Sequence, residues 1–307
     1  MTASAKSELA NAFLTRRLIL RLRKRVSYDP SMLIHLIDGT YELFRHFYGL
    51  RRFNKGNDKP FGAVVGVLNT VLETIEGGAT HVGVATDHVI ESFRNQLWAD
   101  YKTGKGIEPA LFAQFHPLED ALRSMGVAVW PMVELEADDA LASAALLASK
   151  DARVEKVCIW TPDKDLAQCV QGDHVVQIDR KSKAIRDAAA VREKFGVDPE
   201  FIPDYLALVG DTADGYPGID GIGPKGAARI INTHGHIESF PPNVLGENQA
   251  AALLFKKLAT LRFDAPLFKN VDELKWHGPT AQFEQLCKDM QAERTFERAK
   301  KLAATKP

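Results

Sequence analysis

Cysteine is scarce in this 307-residue chain. Cys158, Cys169 and Cys287 show no CxxC or metal-ligand spacing, which excludes a disulfide framework or a thiolate-held metal. They read as reduced core residues of a cytoplasmic protein. Long apolar runs are missing too. The most apolar stretches are strand- or helix-sized and broken by charge, so no membrane-spanning helix is expected. Net charge is nearly absent, at −1. That balance argues weakly against a nucleic-acid partner, although a dense acidic site would hide basic surface in the sum. No internal repeat or low-complexity tract is evident. What remains is a globular chain long enough for one large or two smaller domains, with ample core.

The first thirty residues differ in kind. "TRRLILRLRKR" packs six basic residues into 11 positions, with Pro30 shortly after. Targeting helix, arm for a polyanion and loose extension are all open readings; Glu8 and the lack of a cleavage site make targeting the weakest, and the loose extension is the preferred one. From Met32 the texture alternates. Strand-like runs at "MLIHLID", "THVGVATD", "GVAVW", "KVCIWTPD" and "HVVQID" are separated by helical periods such as "FGAVVGVLNTVLETIEG" and "EADDALASAALLASK". This pattern predicts an α/β fold with a mostly parallel sheet. After about Lys181 it gives way to short helices and Gly/Pro-rich turns, which sets a domain boundary near residue 180.

"LIHLIDGTYELF" looks at first like the start of an aspartate-nucleophile phosphatase, with DxDGT closing its first strand. The residue two before Asp38 is Leu36, which cannot attack anything. Asp38 has company of another kind. Asp87 ends the second strand run, and Glu136, Asp138 and Asp139 open the helix after the third. Asp163 and Asp165 follow the fourth, and Asp211 and Asp214 share a helical face. Any one of these is most simply a cap or a turn residue. Jointly they deliver acid to the carboxyl ends of the strands, where open α/β sheets bind ligands. Unneutralised, such a cluster would repel and be driven to protonate. A hard divalent cation removes that penalty, and oxygen-only ligands select Mg²⁺ or Mn²⁺. The number of acids suits two ions flanking a phosphoryl group.

Two further stretches fit a polyanion. "GIDGIGPKGAARII" reads as helix, tight turn, helix. Gly221 and Gly223 allow close backbone approach, and Lys225 and Arg229 can grip phosphates, although an ordinary helix connection reads the same way. "SFRNQLWADYKTGKG" interleaves Arg94, Lys102 and Lys105 with Phe93, Trp98 and Tyr101. It is either a surface loop with tucked aromatics or a clamp over a phosphodiester.

Taken in order, these motifs resemble the bacterial and phage 5′–3′ exonuclease/flap endonuclease family, of the 5′-nuclease superfamily with a PIN-like core. The amino-terminal domain of bacterial DNA polymerase I is similar. "IDG" at Asp38, "TD" at Asp87, "EADD" at Glu136–Asp139, "TPDKDL" and "GDTADGYPGIDGIGPKGAA" carry the resemblance, over residues 32 to about 275. It implies a PIN-like catalytic domain at 31–180 with an arch at 89–107, a helix-hairpin-helix domain at 181–275, and C-terminal helices at 276–307. Asp38, Asp87, Glu136, Asp138 and Asp139 would surround one metal; Asp163, Asp165, Asp211 and Asp214 would surround the other. A monovalent cation at the hairpin turn is a further expectation. Arg94, Lys102 and Arg45 would act on the scissile phosphate, while Tyr101, Lys105, Gly221, Gly223, Lys225 and Arg229 would bind DNA. His46 reads as structural. Gly215 and Gly226 depart from the family's Asn and Thr and are expected to loosen their turns. The implied protein is a monomeric, stand-alone nuclease that cuts DNA near 5′ ends and flaps. A silent DNA-binding module and a PIN-type ribonuclease are the alternatives.

Overall fold

The structure is a computed structural model that describes residues 32–54 and 59–305. The basic extension at residues 1–30 lies outside them. Six strands form one sheet in the order β3-β2-β1-β4-β5-β6. They are β1 (Met32–Asp38), β2 (His81–Asp87), β3 (Ala128–Met132), β4 (Val154–Trp160), β5 (Val175–Ile178) and β6 (Ile185–Arg186). The β1–β2, β2–β3 and β4–β5 pairs are parallel, and β6 runs antiparallel to β5. The sheet therefore runs on to Arg186, past the boundary expected near residue 180.

Burial explains the strand composition. β2 reads HVGVATD and is buried along its whole length, as a strand covered on both faces must be. Parallel neighbours need long crossovers. Two helices, α1 (Gly39–Asn54) and α2 (Gly62–Glu76), supply the one between β1 and β2, and α3 (Phe115–Ser124) lies before β3. The glycine after Asp38 has a steric cause. A Cβ on Gly39 would stand 2.8 Å from Val84 and Thr86 side-chain carbons and 2.9 Å from the Ala85 carbonyl oxygen. Only glycine lets α1 start against β2 at that spot.

Strand order reverses beside β1, since β2 lies on one side of it and β4 on the other. That reversal opens a crevice at the carboxyl ends of the strands. The helix after β3, α4 (Ala137–Ser149), starts at the same edge. Beyond the sheet come α5 (Ala188–Phe195), α6 (Ile202–Val209), α7 (Pro224–His234) and α8 (Gln249–Ala259), followed by α9 (Phe283–Asp289) and α10 (Glu293–Thr305).

Among the described residues there are two large hydrophobic cores and a small third one of Cys158, Val176 and Ile178. One large core packs α1, α2 and α3 on β1 and β2, and includes Trp276, Phe283, Cys287 and Ala299 from the C-terminal region. The last helices thus return to the sheet layer, where the Trp276 indole donates to the Met125 carbonyl at 2.8 Å. The other large core gathers Leu206, Ile231 and Phe255 of the helical region with Tyr101 and Ala167. All three cysteines are free and buried. Among the described residues no helix is long and apolar enough to cross a membrane.

Candidate metal centre and nucleic-acid interface

Asp38 closes β1 with 7% exposure. Its Oδ1 accepts the Tyr41 amide at 2.8 Å, and its Oδ2 accepts the Thr161 hydroxyl at 3.1 Å. The second bond joins the ends of β1 and β4 across the crevice. Asp87, ending β2, accepts the Ala137 amide at 2.8 Å, so it anchors the N-terminus of α4. Its own amide donates to the Thr40 hydroxyl. Glu136 caps α4 in a reciprocal box with Asp139.

Asp163 is exposed and Asp165 is 5% exposed, both in the turn after β4. Asp211 and Asp214 come from a short turn after α6 closed by Asp211–Tyr216 pairing. One ligand oxygen each from Asp165, Asp211 and Asp214 lies within 4.8 Å of the others. Asp165 Oδ1 is buried and has no hydrogen-bond partner. An orphaned carboxylate oxygen facing two more carboxylates fits a hard divalent cation.

The electrostatics agree. Burial raises the Asp38 carboxyl to about 7; the Tyr41 amide opposes the shift, while Asp87 and Asp163 add to it. Burial, opposed by Lys102 and reinforced by Asp211 and Glu136, lifts Asp214 to about 6. Asp138 and Asp165 are pushed up by burial and then by Asp163. Burial raises Asp87 as well, against the pull of Lys102. Glu136 goes the other way: burial would raise it, but Lys102 and Arg94 hold it low. Lys102 itself loses ammonium stability to burial and regains more from Glu136, Asp214 and Asp87. Crowded acids that resist ionising mark a site short of positive charge.

Several expected roles change on inspection. Asp139 is fully buried, and both its oxygens are engaged by Arg94 and by the amides of Glu136 and Arg262. It has no lone pair turned to the crevice, so it leaves the candidate ligand set. Arg94 is equally hidden, held by Glu136 and Asp139, and is closed to a phosphate. Tyr101 is 3% exposed with its hydroxyl 3.4 Å from Glu136, which rules out stacking on a base in this arrangement. Arg45 is engaged by Glu42 at 3.0 Å and by Thr70 at 3.2 Å. His46 bonds Thr70, and burial drives its pKa down to about 4, as suits a structural neutral imidazole.

The segment read as either an arch or a loop with tucked aromatics is docked from Trp98 to Lys102, with Tyr101 buried. The Trp98 indole donates to the Gly215 carbonyl at 3.0 Å, and the Lys102 amide donates to the Asp214 carbonyl at 3.1 Å. Lys102 emerges with its ammonium 2.6 Å from Glu136 and 3.8 Å from Asp214, while Lys105 is exposed. Gly215 does not loosen its turn. It sits at φ 83°, and a Cβ there would lie 2.1 Å from the Asp100 carbonyl oxygen, so glycine permits this docking. Nothing in the structure requires glycine at Gly226.

The turn and the second helix form as the sequence suggests, but the residues from Gly218 to Ile222 are not helical and the preceding helix, α6, ends at Val209. Gly221 has φ 76°, Gly223 caps α7, and Pro224 is its first residue. Gly221, Gly223, Lys225 and Arg229 are all exposed. Some contributors were missed in the sequence. Thr161 and Ser92 hold Asp38 and Glu136, and Lys164 pairs with Asp211 at 2.8 Å. Thr161 and Lys164 both lie inside "TPDKDL", and Ser92 opens "SFRNQLWADYKTGKG", so each sat in a stretch that already stood out.

A mostly parallel sheet with acids gathered at its switch point, joined to a helical hairpin subdomain, defines a PIN-like α/β fold of the nuclease type. A family model for the 5′-3′ exonuclease N-terminal resolvase-like domain matches residues 33–196, and one for the 5′-3′ exonuclease C-terminal SAM fold matches residues 197–282. The chain belongs to the 5′-3′ exonuclease family. A 5′-3′ exonuclease of Buchnera aphidicola subsp. Baizongia pistaciae is 30% identical over 273 residues, covering 83% of this chain and 89% of that protein. DNA polymerase I of Pseudomonas aeruginosa is 34% identical over 259 residues; the match covers 78% of this chain but 28% of the polymerase. Among solved structures, zinc-bound T5 5′-exonuclease superposes with TM-score 0.59 at 17% identity, over 89% of this chain and 97% of that one. The catalytic core of Rad2 with DNA gives 0.57 at 13% identity, over 88% and 91%. At such identities the likeness concerns the fold.

Proposed function

We propose that the chain is a metal-dependent, structure-specific 5′-nuclease that hydrolyses DNA phosphodiesters at or near 5′ ends and flaps, leaving 5′-phosphate products. The observation that carries this reading is the packing of Asp38, Asp87, Asp138, Asp165 and Asp214 at one crevice, where burial and neighbouring carboxylates, Glu136, Asp163 and Asp211 among them, raise their pKa values. Asp38, Asp87, Asp138 and Oε2 of Glu136, once Lys102 turns from it, would hold one Mg²⁺ or Mn²⁺; Asp163, Asp165, Asp211 and Asp214 would hold the other. When bound, such ions polarise the phosphoryl oxygens and offset the charge that develops in in-line displacement.

The chain's own groups do the rest. Lys102, 28% exposed beside Glu136 and Asp214, is the cation best placed to take a phosphate oxygen. Arg45 would first have to leave Glu42. Next to Asp87 and Lys102, a cavity of about 340 Å³ has walls of Tyr41, Phe44, Ile90 and Ile107. Apolar and aromatic walls beside the acids suit an unpaired base. Lys225, in the first turn of α7, and Arg229, one turn further along it, are exposed and would grip the duplex by its phosphates. Incubating a labelled 5′-flap duplex with Mg²⁺, and separately with EDTA, tests the reading. Metal-dependent release of the flap is expected. Binding without cleavage would point to a silent DNA-binding module, and preference for single-stranded RNA would point to a ribonuclease.

A further inference from the structure

Arg94 is 1% exposed, and a guanidinium that deep must place every donor. It does. Nη1 donates to Glu136 Oε1 at 2.9 Å and to Asp139 Oδ2 at 2.8 Å. Nη2 donates to Asp139 Oδ1 at 2.8 Å and to the Thr260 carbonyl at 3.1 Å. Nε donates to the Leu258 carbonyl at 2.8 Å. Leu258 lies in the last turn of α8 and Thr260 is its C-cap, and the last carbonyls of a helix lack partners within it. The same stretch is tied again by Gln168, which accepts the Leu261 amide and donates to the Ala259 carbonyl, and by Asp139, which accepts the Arg262 amide.

These bonds have a directional consequence. Glu136 Oε1 is occupied by Arg94 and by the Ser92 hydroxyl at 2.7 Å. Only Oε2 is left toward Lys102 and the acid cluster. Meanwhile α8 packs in the same core as α6 and α7, and those helices border Asp211, Asp214 and the hairpin cations.

We propose that Arg94 is a positioning residue: it fixes one oxygen of Glu136 toward the acid cluster and locks that cluster to the helical subdomain that carries the hairpin. The nuclease reading supplies what the cluster does; the bond network stands without it. Arg94 touches neither substrate nor reacting atoms. It sets the geometry that the ligand oxygens present.

Two variants test this, Arg94→Lys and Asp139→Asn, with the full chain and with Mn²⁺ as the metal probe. Arg94→Lys keeps the charge but cannot span both acids and both carbonyls. Mn²⁺ affinity of the folded variant, read by electron paramagnetic resonance of the free ion, should fall by about 10- to 100-fold, as for other residues that orient ligands. The single-turnover rate on saturating 5′-flap DNA should fall comparably, while flap affinity in EDTA stays within about twofold. Asp139→Asn should show the same pattern, and the double variant should be less than additive, because both changes break one network. Unchanged Mn²⁺ affinity in either folded variant would overturn the proposal, as would additive losses. If neither variant folds, Arg94 is a structural staple and the proposal falls. A wild-type protein that binds Mn²⁺ yet cuts no flap DNA sinks the nuclease reading alone, and the Mn²⁺ comparison still decides the role of Arg94.

Discussion

The Lys102 ammonium stands 2.6 Å from Glu136 Oε2 and 3.8 Å from Asp214, among carboxylates. A lysine there has two uses. It offsets negative charge among the acids, and it can turn toward a phosphate oxygen as a bond breaks. Lys102→Ala should therefore lower the single-turnover rate by about 10²-fold or more, with little change in duplex affinity. A variant that cuts at the normal rate would return the Lys102 segment to an ordinary surface loop.

Much of the site was legible in the sequence because each acid follows an apolar run or opens a helix, and strand ends in a parallel sheet share one edge. The division of labour among the acids was not. Asp138 and Asp139 are adjacent in sequence, yet the helix turns one toward Asp163 and Asp38 and the other into Arg94. Likewise "SFRNQLWADYK" mixes cations and aromatics as a clamp would, but Arg94 and Tyr101 are spent on Glu136. Which cation meets a buried acid depends on contacts across 42 residues of chain, and no local pattern encodes that.

Gly215 makes the docking of this segment testable. Any side chain there must adopt a positive φ and displace the Asp100 carbonyl. Gly215→Ala should cost roughly 1–3 kcal/mol, from backbone strain and the forced shift. It should also slow cleavage, because Lys102 follows two residues after Asp100. Thermal unfolding and single-turnover assays would read both effects; an unchanged melting temperature would mean that Trp98 to Lys102 is not held as described.

Stability should respond to pH in a direction set by Asp38 and Asp214. Their carboxyls titrate near 7 and 6 in the folded protein, above the ordinary 3.8. Between those values the folded state keeps protons that the unfolded chain has already lost, so stability falls as pH rises through the window. The slope is about 1.4 kcal/mol per pH unit for each such carboxyl. In EDTA the melting temperature should drop from pH 5 to pH 8. Saturating Mg²⁺ should remove most of that drop, with its largest effect at pH 8, because the ion binds the ionised native cluster. A Mg²⁺ effect that is absent at pH 8 would argue against a clustered cation site.

The hairpin cations make the complementary case. Lys225 and Arg229 are exposed on α7 behind the Gly223 cap, and neither forms an ion pair among the described residues. Contacts of this kind to phosphates ignore base sequence and release counterions, so they weaken with salt. Changing both to Ala should reduce affinity for flap and plain duplex alike, and should flatten the salt dependence of binding by about one or two ions. The rate at saturating DNA should change little, since neither residue belongs to the acid crevice. Lys102→Ala is expected to do the reverse, lowering the rate and sparing duplex affinity. Measuring both variants on the same flap at several salt concentrations separates grip from chemistry. Loss of cleavage without loss of affinity in the hairpin variant would overturn the assignment of Lys225 and Arg229 to the duplex.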